Sequence, residues 1–338
     1  MSKPVKFVHV GMPKCASSYI QSVIAHDPSF APLSLQKVVE LLRAAAIQNK
    51  TLPSAKGQIS LAANTQLDPA LTICASHEGL TGAFLNEPSN QSKLPSYFQA
   101  AAKFLGDQEL SDNVLIIVRS PKSWIRSIHE QAIKQGSIQA AEQFVLSQHE
   151  FIVHSLNLQM IVGSWQGAVP NVRVLPLEML QKDETAFWNR IADWFGTTVP
   201  DPKTLDEIKK IDRARNKSVG ARLPYLIEMN RHAESLRENL LKANDRIARH
   251  VFEACRTSAF TLHGVYRVLT EVATDEEFSH ITRNIDVNET ETYRDFALTI
   301  ETKSKLKETF IDYLFHSQII DQEICENYSE EWDSVSVA

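Results

Sequence analysis

A chain of 338 residues with 43% hydrophobic content can bury a sizeable core, as one large α/β domain or as a core with an elaboration. Its 35 Lys and Arg stand against 41 Asp and Glu, a formal charge of -6. That excludes the global basic field of a nucleic-acid binder or of a protein held to an anionic membrane, so any anion site has to be local. Four scattered cysteines, Cys15, Cys74, Cys255 and Cys325, lack metal-ligand spacing and suit a reducing compartment better than a disulfide scaffold; no metal is expected. No apolar run approaches a membrane span and the first strand leaves no room for a leader upstream, so a cytoplasmic location is expected.

Val5 to Val10 is a short run rich in β-branched residues, followed by Gly11 and Pro13, and reads as a buried strand. From Ser17 onward Tyr19, Ile20, Val23 and Ile24 recur at helical spacing. A strand therefore passes through a tight turn into a helix whose N-terminus lies near Ser17. The N–H groups of a first helical turn, the positive end of the dipole, two hydroxyls and Lys14 then converge on one point, which suits a phosphate. An ordinary strand-turn-helix carrying a solvated lysine is the competing reading. The nucleotide-triphosphate loop G-x-x-x-x-G-K-[ST] does not fit, because Lys14 precedes Cys15 and Ala16 and no magnesium-binding hydroxyl adjoins it.

Leu33 to Ile47 has helical periodicity, and Gln48 to Asp68 is polar and reads as a loop or short helix. Leu71 to Ala75 is a second buried strand that runs into Ser76-His77-Glu78-Gly79-Leu80. In open parallel sheets ligands bind outside the carboxyl ends of the strands, so His77 and Glu78 are expected to face the crevice that Lys14 faces. Glu78 is either a general base or a helix-start carboxylate; it is favoured over His77 as base. Asn113 to Val118 is the third strand. Arg119 follows it, with Ser120 as N-cap and Pro121 as first residue of a helix reaching Gln135. Between Ala140 and Trp165 two helical stretches carry core residues such as Phe144, Ile152 and Ile161. Val172 to Leu175 is a fourth strand, Glu178 is expected to cap or pair structurally, and Trp188, Ile191 and Phe195 mark an amphipathic core helix. Lys209 to Lys217 is basic, and two helical regions follow, Leu223 to Cys255 and Arg294 to Ile320.

Several of these strings resemble one family. GMPKCASSYIQ, from Gly11, resembles the 5'-phosphosulfate loop of sulfotransferases that use 3'-phosphoadenosine 5'-phosphosulfate, with Ala16 in place of the usual glycine. The S-x-E-G-L string around Glu78 looks like the segment that carries the base in bacterial and carbohydrate sulfotransferases. Arg119 to Ser127, RSPKSWIRS, matches the family's second signature, R-x-P-x-x-x-x-x-S, whose arginine and serine hold the donor's 3'-phosphate. VRVLPLEML and FWNRIADWFG resemble the family's next strand, turn and closing helix. RNKSVG is similar to its basic loop over the 3'-phosphate, which carries Arg215, Asn216, Lys217 and Ser218 into the donor site.

The resemblance implies an α/β, P-loop-like three-layer fold with a parallel sheet flanked by helices and a helical C-terminal elaboration. It implies a core over residues 1–220 and a helical region over 221–338, packed on it as part of one domain. The implied donor site comprises Lys14, Cys15, Ala16, Ser17 and Ser18 for the 5'-phosphosulfate, and Arg119 with Ser127 for the 3'-phosphate. Lys14 and Glu78, or His77 in its place, are the implied catalytic groups. The product is 3'-phosphoadenosine 5'-phosphate, and the acceptor is a hydroxyl or amine of a carbohydrate or small molecule. The C-terminal region is expected to cover the acceptor or to form a homodimer surface. Two other classes remain: a nucleotide-dependent kinase with a divergent loop, and a non-catalytic nucleotide-binding or scaffold protein. The scaffold gains nothing from a carboxylate at Glu78, which repels a polyanionic ligand.

Overall fold

The computed structural model describes residues 5–48, 71–82, 89–215, 220–243, 274–287, 293, 295–317 and 320–337. Its contacts divide the chain into two compact units. One comprises Met1–Trp124, Gln148–Lys210 and Leu298–Ala338, and the other Ile125–Ser147 with Ile211–Ala297. That division differs from a single cut near residue 220. The final segment belongs with the sheet because Phe310, Tyr328 and Trp332, all nearly inaccessible to solvent, supply the large apolar area that such helices need to bury.

The first unit is built on a five-stranded sheet in the order β2-β3-β1-β4-β5, every pair parallel. The strands are β1 (Phe7–Gly11), β2 (Phe30–Leu33), β3 (Thr72–His77), β4 (Asn113–Val118) and β5 (Asn171–Pro176). β1 is buried along its whole length and β4 along all but its first residue. Near-continuous hydrophobic runs of this kind are what a parallel strand covered on both faces requires. Right-handed crossovers decide which helix goes where. The step from β1 to β2 moves one way across the sheet, and the later steps to β3, β4 and β5 move the other way. Helix α1 (Ser17–His26) therefore covers one face. The other receives α2 (Gln36–Gln48) and α3 (Leu94–Asp107), and also α6 (His149–Ser155) and α7 (Leu158–Gln166), which pack on α3. After β5 and the short α8 (Leu177–Lys182), α9 (Glu184–Phe195) returns to the side of α1. There Phe195 stacks on Phe7 at 5.1 Å, and the Trp188 ring lies 6.3 Å from those of Tyr19 and Phe30. The fold is the α/β, P-loop-like three-layer arrangement that the sequence implies.

Of the five strands of this sheet, the one not read from sequence is β2. Its four residues, FAPL, include Pro32, which lies exposed on an edge strand, where a missing N–H costs no ladder bond. The segment between Ala140 and Trp165 contains a break more than expected: α5 (Ala141–Ser147) precedes α6 and α7. The basic run from Lys209 begins as helix, since α10 spans Pro202–Arg215. In the second unit α11 (Leu223–Ala243) and the helix Asp275–Thr282 build a small core with Ile133, Leu226, Ile227, Phe278 and Tyr293. Buried Asn230 donates to the carbonyls of Ile133 and Ser137 at 3.0 and 2.7 Å, which satisfies two backbone acceptors at a helix end.

One polar residue lies in the sheet itself. His9 is fully buried in β1, with Nδ1 2.7 Å from Ser76 Oγ and Nε2 without a partner among the described residues. Burial pushes its pKa down from 6.5 to about 3, because the charged ring cannot be solvated there. The folded value lies below the unfolded one, so the unfolded chain binds the proton first. Stability from neutral His9 is complete above about pH 6.5 and falls as pH drops toward 3. Urea midpoints between pH 8 and pH 4 are expected to fall more steeply for the native chain than for His9→Gln. Parallel slopes would remove His9 from that role.

Candidate functional site

The carboxyl end of β1 is a topological switch point. The helix after β1 lies on one face of the sheet, and the helices after its neighbours β3 and β4 lie on the other. A crevice opens where the crossovers part, and this is where open α/β sheets bind ligands. The segment from Gly11 to Ser18 lies at that point. Lys14 and Ala16 adopt left-handed backbone conformations, φ 61° and 60°. Among the described residues only one other non-glycine residue, Glu109, does so, so this uncommon geometry is concentrated in the loop. It costs an L-residue about 1–2 kcal/mol. In return the chain turns sharply enough to open α1 directly onto the crevice, with its first-turn N–H groups and dipole facing outward.

Packing holds the loop in this shape. Ser17 Oγ donates to the Met12 carbonyl at 3.2 Å and the Cys15 N–H to the same carbonyl at 3.2 Å. Trp124, buried at the start of α4 (Pro121–Lys134), donates Nε1–H to the Pro13 carbonyl at 2.8 Å. The far side of α1 is braced as well. Tyr19 donates its hydroxyl to Glu184 Oε1, Trp188 donates to that hydroxyl at 3.1 Å, and Lys209 pairs with Glu184 Oε2 at 2.7 Å. Cys15 is buried and its N–H is spent inside the turn, so it shapes the loop. In the same loop Lys14 and Ala16 are half-buried, Ser17 is buried and Ser18 is exposed.

Glu78 is brought against this loop by strand register. Val10 pairs with His77, so the next residues, Gly11 and Glu78, meet where both strands end. A Cβ on Gly11 would fall 2.2 Å from Ser17 Oγ and 3.2 Å from the Glu78 Cα. Thr81 Oγ1 ties the two together, donating to the Gly11 carbonyl at 2.9 Å and to the Glu78 carbonyl at 2.8 Å, and Tyr97 donates to the Gly79 carbonyl at 2.6 Å. Glu78 opens a short 3-10 turn, Glu78–Thr81, with its side chain exposed. Its backbone is fixed while its carboxylate stays accessible. His77 is engaged differently. Nδ1 accepts the Gly79 N–H at 3.0 Å, and Nε2 lies 2.9 Å from Gln36 Oε1. That pattern requires the neutral Nε2–H tautomer, and burial lowers the ring's pKa. His77 caps the turn that presents Glu78.

Arg119 leaves the end of β4, on the other side of β1. Around it the fold assembles the structural role expected of Glu178 together with two residues from the end of the chain. Glu178, in the first turn of α8, accepts the Ser120 N–H at 3.3 Å and the Tyr328 hydroxyl. Glu331 accepts the hydroxyls of Ser120 and, at 2.7 Å, Ser123. Burial pushes the Cys15 thiol well above its ordinary pKa. The nearby Arg119 charge opposes that shift and Glu178 adds to it. Tyr328 is likewise held protonated, by burial first and then by Glu178. Tyr328 and Glu331 lie so far along the chain from the residues they meet that no local pattern could have marked them.

The remaining expected residues are dispersed. Ser127 is half-buried on α4 within the second unit. Arg215 ends α10, and Asn216, Lys217 and Ser218 lie outside the described residues. Among the described residues no helix is long and apolar enough to cross a membrane, and no cluster of His, Cys, Asp and Glu could hold a metal ion.

The loop geometry makes opposite predictions for its two smallest residues. Ala16→Gly relieves about 1–2 kcal/mol of left-handed strain at a cost of about 0.5–1 kcal/mol in chain entropy. A net gain of about 0.5 kcal/mol is expected in denaturant unfolding. Gly11→Ala drives a methyl into Ser17 and the Glu78 backbone, and is expected to destabilise by about 1–3 kcal/mol. An unaltered unfolding midpoint in both variants would mean that the loop is not held in this shape.

No protein-family model matches the chain, and no curated protein matches it. A similar solved structure is a sulfotransferase from Alicyclobacillus acidocaldarius, 14% identical, with a TM-score of 0.38 over 61% of this chain and 90% of that one. At that identity and score the likeness speaks to neither substrate nor mechanism.

Proposed function

We propose that the protein is a sulfotransferase that takes the sulfuryl group of 3'-phosphoadenosine 5'-phosphosulfate to a hydroxyl or amine of a carbohydrate or other small acceptor. One observation carries the reading. At the switch point, a loop bent through left-handed Lys14 and Ala16 opens a helix N-terminus, and Glu78 is packed on that loop at Gly11. The motif resemblances, with Arg119 at the end of the adjoining strand, add to it. The bound donor would supply an activated sulfuryl group, which carries less charge than a terminal phosphoryl group and so needs no magnesium hydroxyl beside the lysine.

The chain's own groups have distinct tasks. Lys14 and the N–H groups at the start of α1 bind the 5'-phosphosulfate and stabilise the charge that grows on the leaving oxygen. Glu78 takes the acceptor's proton as the acceptor oxygen or nitrogen bonds to sulfur. His77 orients Glu78 through the cap on Gly79. Arg119 and Ser127 hold the 3'-phosphate, an arginine offering fixed multiple donors to a dianion. Arg215, Asn216, Lys217 and Ser218 complete that phosphate's surroundings.

Calorimetric titration with 3'-phosphoadenosine 5'-phosphate, AMP and magnesium-ATP tests the donor. Binding of the bisphosphate at micromolar concentrations, with AMP at least about 10-fold weaker, is expected. Preference for magnesium-ATP would replace the reading with a kinase, and no binding of any nucleotide would favour a scaffold. Arg119→Ala is expected to weaken the bisphosphate by about 10-fold or more while leaving AMP unchanged; equal losses would take Arg119 out of the 3'-phosphate site. Glu78→Gln is expected to lower turnover by about 10²–10⁴-fold with bisphosphate affinity retained. Loss of both together would contradict its role as base.

A further inference from the structure

The helix that Arg119 introduces has no acidic residue in its own first turn, yet that turn is supplied with carboxylates from elsewhere in the first unit. Glu331 comes from the C-terminal helix Gln322–Asp333 and accepts hydrogen bonds from the hydroxyls of both Ser120 and Ser123. Glu178 takes the Ser120 N–H. Hydroxyls, an N–H and the positive end of a helix dipole are the donors that a phosphate uses at a helix start. At α4 they are already engaged by side chains of the same chain, beside the arginine assigned above to a phosphate.

The C-terminal helix is anchored independently of Glu331. Trp332 is fully buried and donates to the Lys303 carbonyl at 3.2 Å, Tyr328 is bonded to Glu178, and Lys122 donates to Ser334 Oγ at 2.6 Å. Lys303 also donates to the carbonyls of Asp333 and Val335 at 3.0 and 2.6 Å. The helix would stay docked without the Glu331 carboxylate, whose two hydroxyl contacts add comparatively little to its anchorage. A half-buried negative charge kept beside a cationic anion site opposes every anion that enters it.

We infer that Glu331 is a built-in competitor of the donor nucleotide: an internal carboxylate at the start of α4 that lowers affinity for 3'-phosphorylated adenosine nucleotides and speeds their release. The inference rests on the sulfotransferase reading and extends it to regulation of the donor site. Its use is kinetic. A product that keeps both phosphates of the donor binds nearly as well as the donor, and a fixed opposing charge favours its departure, the step that often limits turnover.

The test is titration of native protein, Glu331→Gln and Glu331→Ala with 3'-phosphoadenosine 5'-phosphate at low and high salt, with Glu330→Gln as control. Glu330 is exposed one residue earlier and carries the same charge. Removing the Glu331 charge is expected to tighten binding about 3- to 10-fold at low salt, with a slower off-rate, and the gain should shrink as salt screens the site. Glu330→Gln is expected to change affinity less than about 2-fold. Glutamine preserves the size of the side chain and alanine removes it, so tightening in either folded variant supports the competitor. Unchanged or weaker binding in both, or equal tightening in Glu330→Gln, would overturn it while leaving the sulfotransferase reading intact. Native protein that binds no bisphosphate would overturn both.

Discussion

At the carboxyl end of β1 the backbone of Gly11 is packed so closely against Ser17 and the Glu78 backbone that no side chain fits between them. From that contact the rest of the site follows. It lets α1 start immediately above the strand, it brings the end of β3 to the loop, and it leaves the turn to be completed by left-handed residues at Lys14 and Ala16. Interiors are close-packed, so a site built on such a contact tolerates little adjustment. Bonds from Trp124, Thr81 and Tyr97 hold the surrounding backbone, and they come from three different elements.

The strain in the loop is stored against this framework. A left-handed alanine is less stable than a glycine there, and the chain keeps the shape because the turn is over-determined by its neighbours. The same logic separates the two candidate bases. His77 and Glu78 are adjacent in sequence, but the alternation of a strand sends consecutive side chains to opposite sides. One therefore caps Gly79 and meets Gln36, while the other reaches solvent with its carboxylate unhindered. A ring with both nitrogens engaged is held in place, whereas the exposed carboxylate sits on a fixed backbone.

On the other side of β1 the electrostatics are more crowded. Arg119 and Glu178 both act on the buried Cys15 thiol, and Glu178 and Glu331 both act on the buried Tyr328. The two carboxylates are stabilised by hydroxyl and N–H donors at the start of a helix, where the dipole favours negative charge.

Much of the sheet core was legible in the sequence because the signals there are local. β-branched runs ended by glycine or proline marked β1, β3, β4 and β5, and helical spacing marked α1, α4 and α9 with their buried aromatics. The strand-loop-helix at Gly11 and the string Arg119-Ser120-Pro121 were likewise readable, since turn chemistry and capping act over a few residues. The edge strand β2 was not, because its proline mimics a turn and its pairing with β3 is decided by tertiary contacts. The role of Lys209 was not legible for a related reason: it is helical and paired with Glu184, a partner that charge counting cannot supply. Local sequence thus determined where the chain makes strands, turns and helix starts. Only tertiary structure decided that Glu78 lies against Gly11, that His77 meets Gln36, that Tyr328 returns to Glu178 and that Glu331 returns to Ser120 and Ser123, because those contacts join residues that share no local pattern.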